Sequence, residues 1–240
     1  MIHAMKGIHM TKERMLAFTD AVLAIIMTIL VLELEKPSEL SFSGLWELRR
    51  NFFAYALSFF YIGSMWISMN RIWEHVKRLS GVVIWWNLIF LFFSSFMPYA
   101  TGIVSNNFDD RFSQVFYGSV IIAITICHLI LHKLIDSPNS ENETLLETTK
   151  EYRRMLLPDI IIKVVSLILA VCIYPPVMMY GALFAAAYLQ FIKAFLYRKK
   201  KRKVNSKLTS FAAINKIGIL FFYCHRRIVD GSDQKTTARV

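Results

Sequence analysis

An all-α integral membrane fold with six spanning helices per subunit is predicted by three observations. The chain of 240 residues is 55% hydrophobic and holds 19 Phe, more than a soluble domain of this length needs; its mean hydropathy is +0.44. Its apolar blocks run close to the ~20 residues an α-helix needs to cross a bilayer. The formal charge of +11 is carried by lysines and arginines placed between those blocks and in the tail. That is the cytoplasmic bias of a membrane protein rather than a nucleic-acid footprint.

The first span, over 14–34, reads RMLAFTDAVLAIIMTILVLEL. It opens on Arg14 and places Asp20 just inside the apolar run; from Ala21 to Leu32 its only polar side chain is Thr28. A carboxylate there is costly unless paired, hydrated or used. Pro37 breaks the acidic loop 35–47. The second span covers 48–70 and a basic turn follows, with Arg71, His75, Lys77 and Arg78. The third covers 82–104, where Pro98 should kink it. After an Asn/Asp turn the fourth covers 114–134, and 136–154 reads as the longest loop, polar throughout. The fifth covers 156–174, with Lys163 near one end, where its stem can snorkel. Pro175 and Pro176 make a turn before the sixth, over 177–197, whose Gly181, Ala182, Ala185, Ala186 and Ala187 permit close helix contact.

With six spans, the basic turns and the RKKKRK run at 198–203 fall on one side, so both termini are predicted to be cytoplasmic. Residues 1–13 read as a cytoplasmic N-terminus without a signal-peptide core, 14–198 as the six-helix transmembrane domain and 199–240 as a basic cytoplasmic tail. Within that tail, the short apolar patch 211–224 reads either as an interfacial segment drawn to anionic lipid or as a tail without function. Cys127, Cys172 and Cys224 have no metal-ligand spacing and read as small hydrophobes.

On a helical projection of 100° per residue, Ile25, Ile29 and Leu32 fall in one narrow stripe, with Phe18 below them and Thr28 at its flank. A stripe of branched aliphatics is helix-packing surface. Several copies around an axis would instead stack apolar rings that narrow a pore. Asp20 points away from the stripe; Asn70, Arg71 and His75 are its candidate partners in a clasp, and a proton-relay role is the other reading. Glu33 and Glu35 are interfacial charges singly, or a cation-concentrating ring in an oligomer. His128 and His132 stand at i, i+4 with no carboxylate between them and read as a polar pair, not a metal site. No catalytic triad, phosphate loop or paired catalytic carboxylates occur in the sequence. No enzyme activity, metal or cofactor is expected.

The segment Arg14-xxx-Phe18-Thr19-Asp20 resembles the first helix of the transmembrane protein 175 family, whose signature is RxxxFSD followed by a run such as LVLE. Thr19 stands for the usual serine and keeps the hydroxyl. Tyr55 to Phe59 and Trp66 in the second span, with Asn87, Leu88 and Phe96 to Tyr99 in the third, support the likeness, which covers about 14–197. The resemblance implies a homotetramer in the cell membrane whose first helices line a central pore, with potassium ions and lipid as partners and no nucleic acid. It places an apolar constriction at Ile25, Ile29 and Leu32, a hydroxyl layer at Thr28 and an inner-bundle motif at Arg14, Phe18, Thr19 and Asp20. The chain departs from the family at Met69 and Asn70, where a histidine is usual; Asn70 is the substitute hydrogen-bonding partner. The function implied is passive, potassium-preferring cation conduction, and no TVGYG-like stretch is present. A proton-coupled or other secondary transporter, a proton-permeable channel, and a membrane scaffold or enzyme subunit with no transport are the alternatives. Against a carrier stands the expectation that Asp20 is the single intramembrane carboxylate.

Overall fold

The structure, a computed structural model, describes residues 10–192 and Arg198. Among the described residues every regular element is helical. The order is α1 (Lys12–Ile29) continued by a 3-10 turn (Leu30–Glu33), α2 (Phe42–Glu47), α3 (Arg49–Trp73), α4 (Gly81–Ser95), α5 (Met97–Asn106), α6 (Arg111–Asp136) with a 3-10 turn (Ser137–Asn139), and α7 (Glu143–Cys172). A shorter apolar helix, α8, spans Val177–Ile192. The chain divides into two units, Met1–Leu189 and Gln190–Val240. Of the second, only Gln190, Phe191, Ile192 and Arg198 are described. The predicted N-terminus before residue 10, the RKKKRK run after Arg198, the patch 211–224 and Cys224 lie outside the described residues.

Local sequence starts these helices. The side chains of Thr11, Ser41, Ser80, Asp110 and Asn142 each accept a backbone N–H three residues on. Each satisfies a donor that a helix start leaves without a partner. Among the described residues five segments are long and apolar enough to cross a membrane: Lys12–Glu33, Arg49–Trp73, Gly81–Asn106, Arg111–Asn139 and Glu143–Cys172. The chain is therefore a multi-pass membrane protein.

Three expectations are corrected. Pro98 does more than kink the third span: α4 ends at Ser95 and α5 begins at Met97, where proline, lacking an N–H, sits in the first turn. The predicted loop 136–154 is mostly helix, because Asn142 caps α7 at Glu143 and the polar first half folds back on α6. There Arg153 pairs with Asp136, and Thr149 donates to the same carboxylate at 2.6 Å. Finally, Lys163 does not snorkel. It is 2% exposed and ion-paired at 2.7 Å with Asp159, 0% exposed, one turn earlier on α7. Asp20 is thus not the only carboxylate inside the apolar bundle.

Helix α6 sits at the centre, against α7, α4 and α5, while α3 packs on α5 and α1 on α4, α3 and α5. Polar side chains between these helices bond to one another, as an apolar medium demands. Thr101 donates to Ser58 at 2.8 Å, and Ser58 lies 3.0 Å from the Tyr117 hydroxyl. Tyr61 lies 2.9 Å from Thr125, which accepts from Lys163 at 2.9 Å, and the Lys163 ammonium stands 4.9 Å from the centre of the Tyr61 ring. Where α8 crosses α7, a Cβ at Gly181 would collide with Ser166, so the small residue is needed there. The buried rings of His128 and His132 lie 4.2 Å apart, beside Tyr152.

At the end holding Lys12, one lysine and two asparagines fasten the α3–α4 turn. Lys12 donates to the carbonyls of Trp73 and Val76 at 3.2 and 3.1 Å. Asn139 accepts from the N–H groups of Lys77 and Arg78, and Asn142 donates to the His75 carbonyl. The other end also carries cations, which the charge pattern left out of account: Arg50 pairs with Asp109.

Two predictions follow from the packing. Asp159→Ala leaves the Lys163 ammonium buried without its counter-ion and should lower stability by about 3–5 kcal/mol, whereas Asp159→Leu with Lys163→Met should recover most of that loss. Unfolding of the detergent-solubilised protein checks this; a single variant no worse than the double one would refute it. At the start of α6, hydrogen bonds from the Ser113 backbone and hydroxyl hold the Asp110 carboxyl below its usual range. A lowered carboxyl stabilises the fold above its unfolded value and loses that contribution as pH falls through the folded one. The melting temperature should therefore drop more between about pH 6 and about pH 3 in the wild type than in Asp110→Asn, which keeps an acceptor that does not titrate.

Candidate functional site on the first helix

Helix α1 has two unlike faces. Met15, Thr19, Leu23, Ile26 and, in the 3-10 turn, Leu30 are buried, at spacings of four or three residues. Arg14, Ala17, Phe18, Ala21, Ala24, Ile25, Thr28, Ile29 and Leu32 are exposed on the other side. The predicted constriction residues fall on this uncovered face: Ile25 is 57% exposed, Ile29 38% and Leu32 77%. Leu32 lies in the 3-10 turn, where each residue turns ~120° rather than 100°, so its direction is rotated from the projected one. The exposed alanines were not picked out from the sequence; i, i+3, i+4 spacing of small residues on a spanning helix is the signal that marks them.

Rotation of α1 is set by two side-chain bonds. The Thr19 hydroxyl donates to the Met15 carbonyl at 2.8 Å and accepts from Asn87 Nδ2 of α4 at 2.8 Å. Half-buried Asp20 accepts from Trp66 Nε1 of α3 at 2.8 Å. The partner of Asp20 is therefore Trp66, not Asn70, Arg71 or His75. Trp66 is one full turn earlier on the same helix, and its long ring reaches the carboxylate. Asn70 makes no side-chain hydrogen bond among the described residues. Arg14 and Phe18 are exposed and stand on the uncovered side.

The Thr28 hydroxyl donates to the Ile25 carbonyl of its own helix at 2.8 Å. Its proton is engaged, so its oxygen presents lone pairs outward. Beyond it, Glu35 is exposed, while half-buried Glu33 lies against α5, where a Cβ at Gly102 would collide with its carboxylate. Sequence reasoning missed the Asp159–Lys163 pair, although an acid and a base at i, i+4 inside the apolar run DIIIK is a legible signal. Among the described residues no group of three or more His, Cys, Asp or Glu could hold a metal ion.

Comparison with known proteins gives this helix its context. Residues 14–98 match the family described as "Endosomal/lysosomal potassium channel TMEM175". The chain is similar to a potassium channel of Chryseobacterium sp. (strain P1-3), 38% identical over 147 residues, covering 60% of this chain and 77% of that protein. The chain belongs to the TMEM175 potassium-channel family. A second member, a potassium channel of Streptomyces collinus, is 30% identical over 121 residues, covering 47% of this chain and 59% of that one. The fold agrees with the crystal structure of a lysosomal potassium-selective channel TMEM175 homolog from Chamaesiphon minutus, with a TM-score of 0.57 and 25% identity over 74% of this chain and 97% of that one. The TMEM175 match holds Arg14, Phe18, Thr19, Asp20, Trp66 and Asn87 together with the whole exposed face of α1; the Asp159–Lys163 pair lies beyond it.

The two bonds that orient α1 differ in environment, which yields a third prediction. Asn87 is buried and Trp66 is 40% exposed. Thr19→Val strands the buried Asn87 amide and should cost about 1–3 kcal/mol, while Trp66→Phe removes a bond at a wetter place and should cost about 0.5–1.5 kcal/mol. Thermal unfolding of the purified variants checks the order; the reverse order would mean that Thr19 does not fix the helix.

Proposed function

We propose that the chain is one subunit of a homotetrameric, potassium-preferring cation channel of the cell membrane, and that four copies of α1 line its pore. The observation that carries this is the uncovered aliphatic face of α1, opposite a face that is fully packed. A helix that buries one side within its own subunit and leaves Ile25, Ile29 and Leu32 bare is suited to meet copies of itself. Its exposed Ala17, Ala21 and Ala24 favour close approach.

In that arrangement Ile25, Ile29 and Leu32 form stacked apolar rings through which an ion passes only by shedding water. The outward lone pairs of Thr28 replace part of the lost hydration. Potassium, larger and more weakly hydrated than sodium, gives up its water at less cost, so preference arises without a carbonyl filter. Arg14, Phe18, Thr19 and Asp20 hold the inner end of the bundle, and Glu33 and Glu35 form an acidic outer mouth that gathers cations. Each subunit has six spans, α8 supplying the sixth, with both termini cytoplasmic; the basic turns beside Lys12 and Arg78 support that orientation. The relatives named as potassium channels support the ion, and conduction is passive.

A secondary transporter, proton-coupled or not, is the other reading. The buried Asp159–Lys163 pair favours keeping it in view, since ionisable groups inside a membrane mark proton relays as well as structural pairs. Liposome flux decides between the two. A channel gives electrogenic flux whose reversal potential follows the potassium gradient; stoichiometric coupling to protons would point to the carrier.

Replacing Ile25 tests the constriction itself. Ile25→Asn puts an amide at the narrowest ring and should raise leak and lower the potassium-to-sodium preference by about tenfold, which corresponds to ~1.4 kcal/mol. Reversal potentials under bi-ionic conditions read this out, and unchanged currents would remove Ile25 from the pathway.

A further inference from the structure

Beside α1, toward the α4–α5 break, lies a cavity of about 340 Å³. Ile25, Ile29 and Pro98 give it apolar walls, and Ser95, Tyr99 and Glu33 complete its lining. Glu33 is half-buried and makes no hydrogen bond or ion pair among the described residues. Gly102 is what lets its carboxylate rest against α5 rather than swing into the open. An apolar crevice lined also by an unpaired carboxylate and an aromatic ring has the charge complementarity of a site for a greasy cation.

We propose that this crevice binds a hydrophobic monovalent ammonium ion, its alkyl body against Ile25, Ile29 and Pro98 and its charge between the Glu33 carboxylate and the Tyr99 ring. A carboxylate attracts the cation in any orientation, and the ring face adds a directional contribution that strengthens away from water. The apolar walls select alkylated ammonium ions over bare metal cations, which would keep their hydration shell in so greasy a space. Occupancy also has a consequence for conduction, which rests on the pore reading above. Ile25 and Ile29 form a wall of this crevice, so a filled crevice holds the constriction residues in one position and lowers flux.

The probe is tetrapropylammonium, titrated calorimetrically into the purified full-length protein, with tetramethylammonium as the comparator that keeps the charge and lacks the body. Tetrapropylammonium should bind, and tetramethylammonium should bind at least about tenfold more weakly. Glu33→Gln, which removes the charge, and Ser95→Phe, which fills the crevice from an exposed position and leaves Glu33 in place, should each weaken tetrapropylammonium by about tenfold or more. No binding to the wild type overturns the proposal. So does binding that survives Ser95→Phe, which would mean an ion held at an acidic pore mouth only, or binding that survives Glu33→Gln, which would mean an apolar slot for lipid tails. Potassium flux in liposomes separates the two inferences. If tetrapropylammonium binds as described and flux falls, both stand; if it binds so and flux is unchanged, the crevice stands and the assignment of Ile25 and Ile29 to the constriction falls.

Discussion

The hydrogen bond from Asn87 to Thr19 determines which side of the first helix the rest of the chain leaves bare. A hydroxyl and an amide buried in an apolar bundle have no water to turn to, so once they meet, neither helix rotates without losing the bond. Met15, Leu23, Ile26 and Leu30 are then buried in the bundle, and Ile25, Ile29 and Leu32 are left exposed. The Trp66–Asp20 bond acts from a second helix in the same sense. Both bonds use residues of the family motif, which explains physically why such polar groups belong in an otherwise greasy segment.

The same rule governs the centre of the bundle. Lys163 and Asp159 are expensive singly and tolerable together, and Thr125 and Tyr61 supply the further contacts such a pair needs. These groups belong to α3, α6 and α7, so the cluster ties three helices together, as the Ser58–Tyr117 and Asp136–Arg153 contacts do elsewhere along them. One oxygen of Asp159 stays without a hydrogen-bond partner, which leaves this cluster short of full satisfaction.

Much of the fold was legible because spanning segments must be long and apolar. The first, second and fourth spans sit where hydropathy put them. Partners were harder to read. The reach of Trp66 to Asp20 depends on how α3 is turned against α1, which residue spacing along one helix does not contain. Lys163 appeared able to snorkel because its stem is long; its acid lies one turn back, just past Pro158, where the polar half of α7 hid the start of the membrane segment. The loop over 136–154 became helix for a related reason. Its residues are polar because one face meets water, yet the Asn142 cap and the Asp136–Arg153 pair hold the other face to α6. Around the exposed face of α1, the aliphatic stripe came from the sequence, while the crevice behind it needed α4 and α5 in place.

The fastening at Lys12 sets how the first helix can move. Its foot is held by two directional bonds to the carbonyls of Trp73 and Val76, in a turn that Asn139 and Asn142 hold in their own right. Leu30, near the far end, is kept in place by greasy contact alone, which has no preferred direction and tolerates sliding. A displacement that preserves these bonds and those at Thr19 and Asp20 is therefore a flexing of the helix beyond Asp20. Its arc grows with distance beyond that point and is widest at Leu32.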